Sequence, residues 1–181
     1  TLKEKGLDKN TIIIYSADNG YYMGNRGFAG KWSHYEESLR VPLIIYDPRM
    51  PKKEQGKSSD KMSLNIDIPA TILDYAGIAQ PALYQGKSLL PIVNNENIES
   101  WRTSFLCEHR FDNDNIPKYV GIREERYVYA NYYEQEPPYE YLHDLETDSD
   151  QLINLASNPD FKETLQSIRQ KCKDLEASIQ N

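Results

Sequence analysis

The chain has 181 residues, of which 39% are apolar and 27% are charged, an ordinary composition for a globular protein that buries a core. Its net charge of −7 argues against a nucleic-acid-binding protein, because no basic face offsets the negative field. No apolar run approaches the roughly 20 residues of a membrane-spanning helix. Cys107 and Cys172, the two cysteines, have no metal-type spacing and do not make a disulfide framework.

The first ten residues, TLKEKGLDKN, have neither an initiator methionine nor the apolar core of a signal peptide. They resemble the tail of a helix that ends at Gly6, which predicts that the chain belongs to a longer polypeptide. The cellular compartment therefore cannot be predicted from the start of the chain.

Two short apolar runs, residues 11–16 and 41–46, are rich in β-branched residues and predict strands that are covered on both faces. The loop between them contains four glycines and is too long for a hairpin turn, and loops of that length inside compact domains are usually functional or disordered. Residues 67–77 predict a helix with Asp67 and Pro69 at its start and Gly77 at its end.

The second half of the chain has a different pattern. Strands are predicted at 102–109, 119–124, 126–133 and 139–145, and a helix capped by Asn158 follows. Its single apolar stripe runs from Phe161 to Ile179 and includes Cys172, which we expect to be buried against the small antiparallel sheet. The sequence therefore predicts an α/β fold with two parts, an α/β portion at 1–96 and an antiparallel subdomain with a terminal helix at 97–181.

Asp18 and Asn19 directly follow the first predicted strand, where Gly20 relaxes the backbone. Ligands of α/β sheets bind beyond the carboxyl ends of strands, and carboxylate and amide oxygens suit Ca²⁺ or Mg²⁺. The same three residues are also a common turn signal. Lys31 lies thirteen residues after Asp18 in the glycine loop. An ammonium beside a divalent cation needs an anion between them, although a loop lysine is usually solvated.

These residues carry a resemblance to a known family. The stretch TIIIYSADNGYYMGNRGFAGKWSHYEESLRVPLIIYDPR resembles the C-terminal signature of the sulfatase family, in the alkaline-phosphatase-like superfamily. The stretches SLNIDIPATILDYAGI, QGKSLLPIV and YLHDLETDSDQLINLA also resemble the family in their order. The resemblance covers nearly the whole chain and implies the C-terminal part of an alkaline-phosphatase-like sandwich followed by a small antiparallel sheet.

The resemblance implies roles for individual residues. Asp18 and Asn19 would be two ligands of a calcium ion that also holds the sulfate ester, and Lys31 would bind a sulfate oxygen and stabilise the charge that develops there. Many relatives have histidine at the position of Arg26, so Arg26 is expected to contact an anionic group of the substrate instead. His34 is a further candidate for substrate binding, although a loop histidine is more often plain surface.

The resemblance also shows what this stretch of the family does not contain. Sulfatases use a formylglycine made from a C/S-x-P-S/A-x-R motif, and neither Cys107 nor Cys172 begins such a motif. The motif, the other calcium ligands and the catalytic histidines are expected upstream, in the rest of the catalytic domain. Glu36 and Arg40 are expected to be structural and to fix the loop.

Three readings of function follow from these residues. The first is a sulfatase that hydrolyses a sulfate ester of a small molecule or glycan and is exported to the periplasm or extracellular space, as relatives are. The second is a phosphodiesterase, phosphonate hydrolase or phosphomutase of the same superfamily, although those sites favour Asp-His where this chain has Asn19. The third is a stand-alone carbohydrate-binding module whose tyrosines and Trp101 stack on sugars. His109 and Arg110, at the end of a predicted strand, are candidates to reach substrate or plain rim residues.

Overall fold

The computed structural model describes residues 1–179, so the last two residues of the predicted 97–181 subdomain lie outside the described residues. Short 3₁₀ turns occur at Asn25–Gly27, Lys52–Glu54 and Pro159–Phe161. The strands and helices follow in this order along the chain: β1 (Ile13–Tyr15), β2 (Tyr22–Met23), β3 (Ala29–Gly30), α1 (Glu36–Leu39), β4 (Ile44–Tyr46), α2 (Asp67–Tyr75), α3 (Leu90–Val93), β5 (Ser104–His109), β6 (Tyr119–Glu124), β7 (Tyr127–Tyr132), β8 (Tyr139–Asp144) and α4 (Lys162–Ile179).

The chain divides into two compact units, and each is discontinuous in sequence. The first unit contains residues 1–18 and 41–102, and the second contains residues 19–40 together with the residues from 103 onward. The glycine loop thus belongs to the same unit as the C-terminal sheet. The division into 1–96 and 97–181 concerns the longer protein and stays a prediction.

In the first unit, β1 pairs antiparallel with β4, with Ile13 opposite Tyr46 and Tyr15 opposite Ile44. The two strands confirm the predicted positions but are shorter than the apolar runs. The side chains of these four residues are exposed, so the prediction that both faces are covered is wrong for this structure. The reason is physical: this sheet has two strands, and a two-stranded ribbon cannot cover alternate side chains on both of its faces.

Helix α2 begins at Asp67 and is followed by Gly77 with a φ of 66°, as the sequence predicts. The Asp67 carboxylate is fully buried and does not cap the helix. It accepts the backbone N–H groups of Leu64 at 2.7 Å and Lys87 at 2.8 Å, and it pairs with the Arg102 guanidinium, whose Nη2 lies 2.7 Å from Oδ1. This carboxylate therefore joins three separate segments of the first unit.

The second unit contains a four-stranded antiparallel sheet in the order β5-β6-β7-β8. All four predicted strands are confirmed, and β6 and β7 form a hairpin. Helix α4 packs its predicted apolar stripe on one face of the sheet, and the buried thiol of Cys172 is part of this contact. The core between helix and sheet contains six buried residues: Ile122, Tyr129, Leu142, Leu165, Ile168 and Cys172.

The opposite face of the sheet carries a second cluster, built around Cys107, Tyr119, Ala130 and Tyr132. Leu39, from the end of the glycine loop, packs against it. Because strand residues alternate between faces, the helix and the loop lie on opposite sides of one sheet. The sheet is therefore the platform on which the loop that carries Lys31 rests. Within residues 1–179, no helix is long and apolar enough to cross a lipid bilayer.

Candidate functional site

The glycine loop is closed at its base by a backbone contact. The N–H of Gly20 donates to the carbonyl of Ser38 at 2.9 Å. A Cβ atom at position 20 would lie 2.0 Å from the carbonyl oxygen of Glu37, so no side chain fits there unless the backbone moves. Inside the loop, β2 and β3 pair antiparallel with Tyr22 opposite Gly30, which places Lys31 directly after the short ribbon.

The structure brings Asn19 and Lys31 together. The Lys31 ammonium donates to Oδ1 of Asn19 at 2.6 Å. The Asn19 amide Nδ2 donates to the carbonyl of Gly20 at 2.7 Å, and this contact fixes the side-chain orientation with Oδ1 toward the ammonium. Asn19, which the sequence predicts to bind a cation, and Lys31, which it predicts to bind an anion, therefore lie next to each other within the second unit.

Asp18 is the last residue of the first unit before the chain enters the loop, and its side chain is exposed. Its backbone carbonyl accepts a hydrogen bond from Nδ2 of Asn65 at 2.6 Å. Asp18 and Asn19 are neighbours in the chain and offer a carboxylate and an amide oxygen, donors that match a hard cation. The donor chemistry of the two side chains therefore fits calcium, and in this structure the Asn19 oxygen accepts from the Lys31 ammonium.

Two side chains cannot complete such a site, because Ca²⁺ takes six to eight oxygen ligands. Among residues 1–179, no group of three or more His, Cys, Asp or Glu side chains is arranged to hold a metal ion. The residues present therefore fit a part of a calcium site, as the sequence predicts for Asp18 and Asn19, and the assignment of these two ligands stays a prediction.

Arg26 is engaged by protein groups. It has a left-handed backbone with φ 57°, and its guanidinium pairs with Glu37 at 3.1 Å and donates to the carbonyls of Gln151 at 3.0 Å and Asp150. It also lies over the Tyr35 ring at 4.2 Å. These contacts clamp the loop to the segment that follows β8. The substrate contact predicted for Arg26 finds no support in them and stays a prediction.

His34 is buried, with 1% of its surface exposed, and takes part in a directed chain of hydrogen bonds. His143 Nδ1 lies 2.9 Å from the Ile153 carbonyl, which only accepts, so this nitrogen carries the proton. His143 Nε2 then accepts from His34 Nε2–H at 3.2 Å, and His34 Nδ1 accepts from the Tyr132 hydroxyl at 2.9 Å. Both ring nitrogens of His34 are used inside the protein. Its predicted role in substrate binding finds no support here and stays a prediction.

The histidine pair is held in its neutral form. Burial lowers the pKa of His34 well below its ordinary value of 6.5, and the neighbouring His143 and the Arg26 charge act in the same direction. Burial also lowers the pKa of His143. The hydrogen-bond chain explains why this suits the fold. A proton added to Nε2 of His143 would place two N–H groups face to face between the rings, and a proton added to Nδ1 of His34 would remove the acceptor of the Tyr132 hydroxyl.

Glu36 fixes the end of the loop, as the sequence predicts. Its carboxylate pairs with Arg123 of β6 at 2.9 Å, and its backbone N–H donates to the Gln151 side chain at 2.8 Å. Arg40, which the sequence also predicts to be structural, contacts the loop through its backbone. Its N–H donates to the Glu36 carbonyl at 2.7 Å. Arg110, the rim candidate, pairs with Glu108 and Glu176.

The sequence reasoning missed Trp32. Its indole directly follows Lys31, is 49% exposed, and lies with its ring centroid 6.0 Å from that of His109. A large aromatic residue next to a predicted anion-binding lysine in a glycine-supported loop was the available signal. Trp101, the tryptophan that the sequence suggested for sugar stacking, instead donates its indole N–H to the Met62 carbonyl at 2.8 Å.

Comparison with known proteins gives consistent matches. The family model described as "N-sulphoglucosamine sulphohydrolase, C-terminal" matches residues 24–178. The chain is 30% identical to an N-acetylglucosamine-6-O-sulfatase of Bacteroides thetaiotaomicron, over 93% of this chain and 30% of that protein. It is 33% identical to an arylsulfatase of Clostridium perfringens, over 93% of this chain and 34% of that protein.

Solved structures agree. A protein in complex with its substrate D-glucosamine-2-N,6-O-disulfate superposes with a TM-score of 0.89 at 27% identity, over 99% of this chain and 36% of that one. A phosphonate monoester hydrolase of Agrobacterium radiobacter superposes with a TM-score of 0.85 at 26% identity, over 98% of this chain and 37% of that one. The chain thus spans about a third of the length of the proteins it matches.

Proposed function

This chain belongs to the sulfatase family, in the alkaline-phosphatase-like superfamily, and from that premise we propose that it acts as the C-terminal part of a longer enzyme that hydrolyses a sulfate ester of a glycan. One observation of the site carries the proposal: the Lys31 ammonium lies 2.6 Å from Oδ1 of Asn19. An ammonium and a hard oxygen donor at one point suit the binding of a tetrahedral anion next to a cation. The names of the relatives and the sulfated glucosamine bound by the structural neighbour support a sulfated sugar as substrate.

Each residue of the site has a stated task in this proposal. Lys31 binds a sulfate oxygen and stabilises the negative charge that grows on the sulfate group during transfer. Asp18 and Asn19 hold a calcium ion together with ligands from the longer enzyme, and the ion when bound acts as a Lewis acid on the ester. The formylglycine nucleophile is also supplied by the longer enzyme. Glu36, Arg26 and His34 hold the loop on the sheet.

The test compares esters of one chromogenic alcohol on the longer enzyme. We expect sulfate ester hydrolysis to exceed phosphate ester hydrolysis, because Asn19 favours one hard cation over a pair of transition metals. Lys31→Ala should lower kcat by about 100- to 1,000-fold. Lys53→Ala, which removes an exposed lysine of the first unit, is the matched control and should not change it. Preferential hydrolysis of the phosphate ester would instead favour the phosphonate hydrolase relatives.

We place this enzyme in the periplasm or the extracellular space on the basis of family resemblance. Fractionation of cells that express the complete gene, with activity measured in each fraction, tests this location. Activity confined to the cytoplasmic fraction would contradict it.

A further inference from the structure

Trp32 presents a large apolar surface next to Lys31. The indole is 49% exposed, although tryptophan is highly buried on average. The Lys31 ammonium lies 5.6 Å from the centre of its ring. A group held by Lys31 would therefore have the indole face within reach of the atoms that carry it.

The conformation of Trp32 is enforced by its surroundings. Its φ of 75° is a rare, strained value for a bulky residue. The buried Ser38 hydroxyl accepts the backbone N–H of Trp32 at 2.9 Å and that of Ser33 at 3.2 Å, and these two bonds hold the turn. A strained backbone that is fixed from the core while its side chain stays exposed is typical of a residue positioned for binding.

His109 supports the indole from the sheet. It is the last residue of β5, its imidazole is tilted 36° to the indole, and it is 7% exposed. Its buried Nδ1 has no hydrogen-bond partner within the described part of the chain. Buried polar atoms without partners are few in folded proteins and need an explanation. Here the imidazole is placed for ring contact with Trp32 at the cost of a hydrogen bond.

We propose that Trp32 is the stacking platform for the sugar ring whose sulfate group Lys31 binds, with His109 as the residue that positions the indole. This inference rests on the proposed function and adds the recognition of the ring. The apolar C–H face of a pyranose matches an exposed indole, while the ring hydroxyls stay free for polar contacts elsewhere. The site thus selects esters in which the sulfate is carried by a ring.

The test uses the longer enzyme and two sulfate esters, a sulfated monosaccharide and a short alkyl sulfate without a ring. Trp32→Ala should lower kcat/KM for the sulfated sugar by about 10- to 100-fold, on the scale of the loss of one aromatic side chain that stacks on a nucleobase. It should leave kcat/KM for the alkyl sulfate nearly unchanged. Trp32→Phe should restore most of the activity on the sugar. Trp101→Phe is the matched control and should change neither substrate.

The other outcomes contradict the proposal. An equal loss on both esters would mean that Trp32 only maintains the loop. A loss of activity that is larger for an aryl sulfate than for the sulfated sugar would mean that Trp32 stacks on an aromatic ring and not on a sugar ring. For His109, His109→Ala should raise KM for the sugar with little effect on kcat, and His109→Phe should restore KM. A fall in kcat on both esters would refute the positioning role.

A binding measurement separates this inference from the proposed function. If the enzyme releases sulfate from none of the esters, the proposed function fails, and Trp32 is then judged by fluorescence alone. Titration with the sulfated monosaccharide should change tryptophan emission in the wild type and in Trp101→Phe, but not in Trp32→Phe. An emission change that persists in Trp32→Phe, or no change in the wild type, would overturn the platform.

Discussion

Acid should destabilise the unit that holds the glycine loop, because two buried histidines are neutral in it. In the unfolded chain, His34 takes up a proton near its ordinary pKa of 6.5, whereas burial keeps the pKa of the folded side chain well below that value. Between those two pKa values the unfolded state binds more protons than the folded state. Stability is therefore complete above about pH 6.5 and falls as the pH decreases toward the folded pKa.

The magnitude follows from proton linkage. His34 and His143 each contribute a slope of up to about 1.4 kcal/mol per pH unit. Between about pH 6.5 and pH 5, His34 alone removes up to about 2 kcal/mol from the free energy of unfolding. His143, whose pKa is also lowered by burial, adds in the same direction, although the nearby Asp148 carboxylate acts to raise that pKa. This loss is a large fraction of the free energy of unfolding of a domain, which is about 5 to 15 kcal/mol.

Urea unfolding followed by tyrosine and tryptophan fluorescence at several values between about pH 7.5 and pH 5 measures this slope. The window avoids carboxylates such as Asp144, whose pKa is lowered by Arg126 and whose contribution is lost only in stronger acid. His34→Gln should be less stable at neutral pH but should lose much of the pH dependence. A wild-type stability that stays flat over this range, or an unchanged slope in His34→Gln, would refute the neutral histidine chain.

Three further predictions follow from single contacts. Asp67→Ala should destabilise the first unit by about 3 to 5 kcal/mol, because it leaves the Arg102 charge buried without its partner; thermal unfolding measures this, and Lys57→Ala, at a surface pair with Glu54, should shift the midpoint little. Gly20→Ala should destabilise the loop severely, because its Cβ would meet the Glu37 carbonyl oxygen at 2.0 Å, and a stability equal to the wild type by urea unfolding would show that this contact relaxes. Cys172 should resist alkylation until the protein unfolds, because burial raises its pKa to about 11, and modification by iodoacetamide in the native state would contradict this.

The C-terminal sheet and helix were predictable from the sequence because their signals are local. Alternation in each strand and the apolar stripe from Phe161 onward decide which side chains face the core. The structure confirms all four strands and the burial of Cys172. The exposure of β1 and β4 was not predictable in the same way. A continuous apolar run indicates that a strand is suited to burial, but it does not show which other segments cover the strand.

Local pattern could not reveal the contacts that hold the glycine loop. His34 meets His143, 109 positions away, and Arg26 meets residues 124 and 125 positions away. No periodicity connects residues at such separations, and a loop histidine or arginine is most often exposed. The convergence of Asn19 and Lys31 was predictable only through the family resemblance, since the two residues taken alone indicate a turn and a solvated lysine.

The contacts of the loop explain why an antiparallel sheet distant in sequence belongs to the function. Three residues that flank Lys31 are bound to later parts of the chain: Arg26 to the segment after β8, His34 to β7 and β8, and Glu36 to β6. The position of the ammonium relative to Asn19 is thus determined by the C-terminal sheet. Arg123→Ala touches no proposed substrate atom, but it should loosen α1 and therefore impair the charge stabilisation by Lys31. A sheet that served only to stabilise the fold would not couple Arg123 to Lys31.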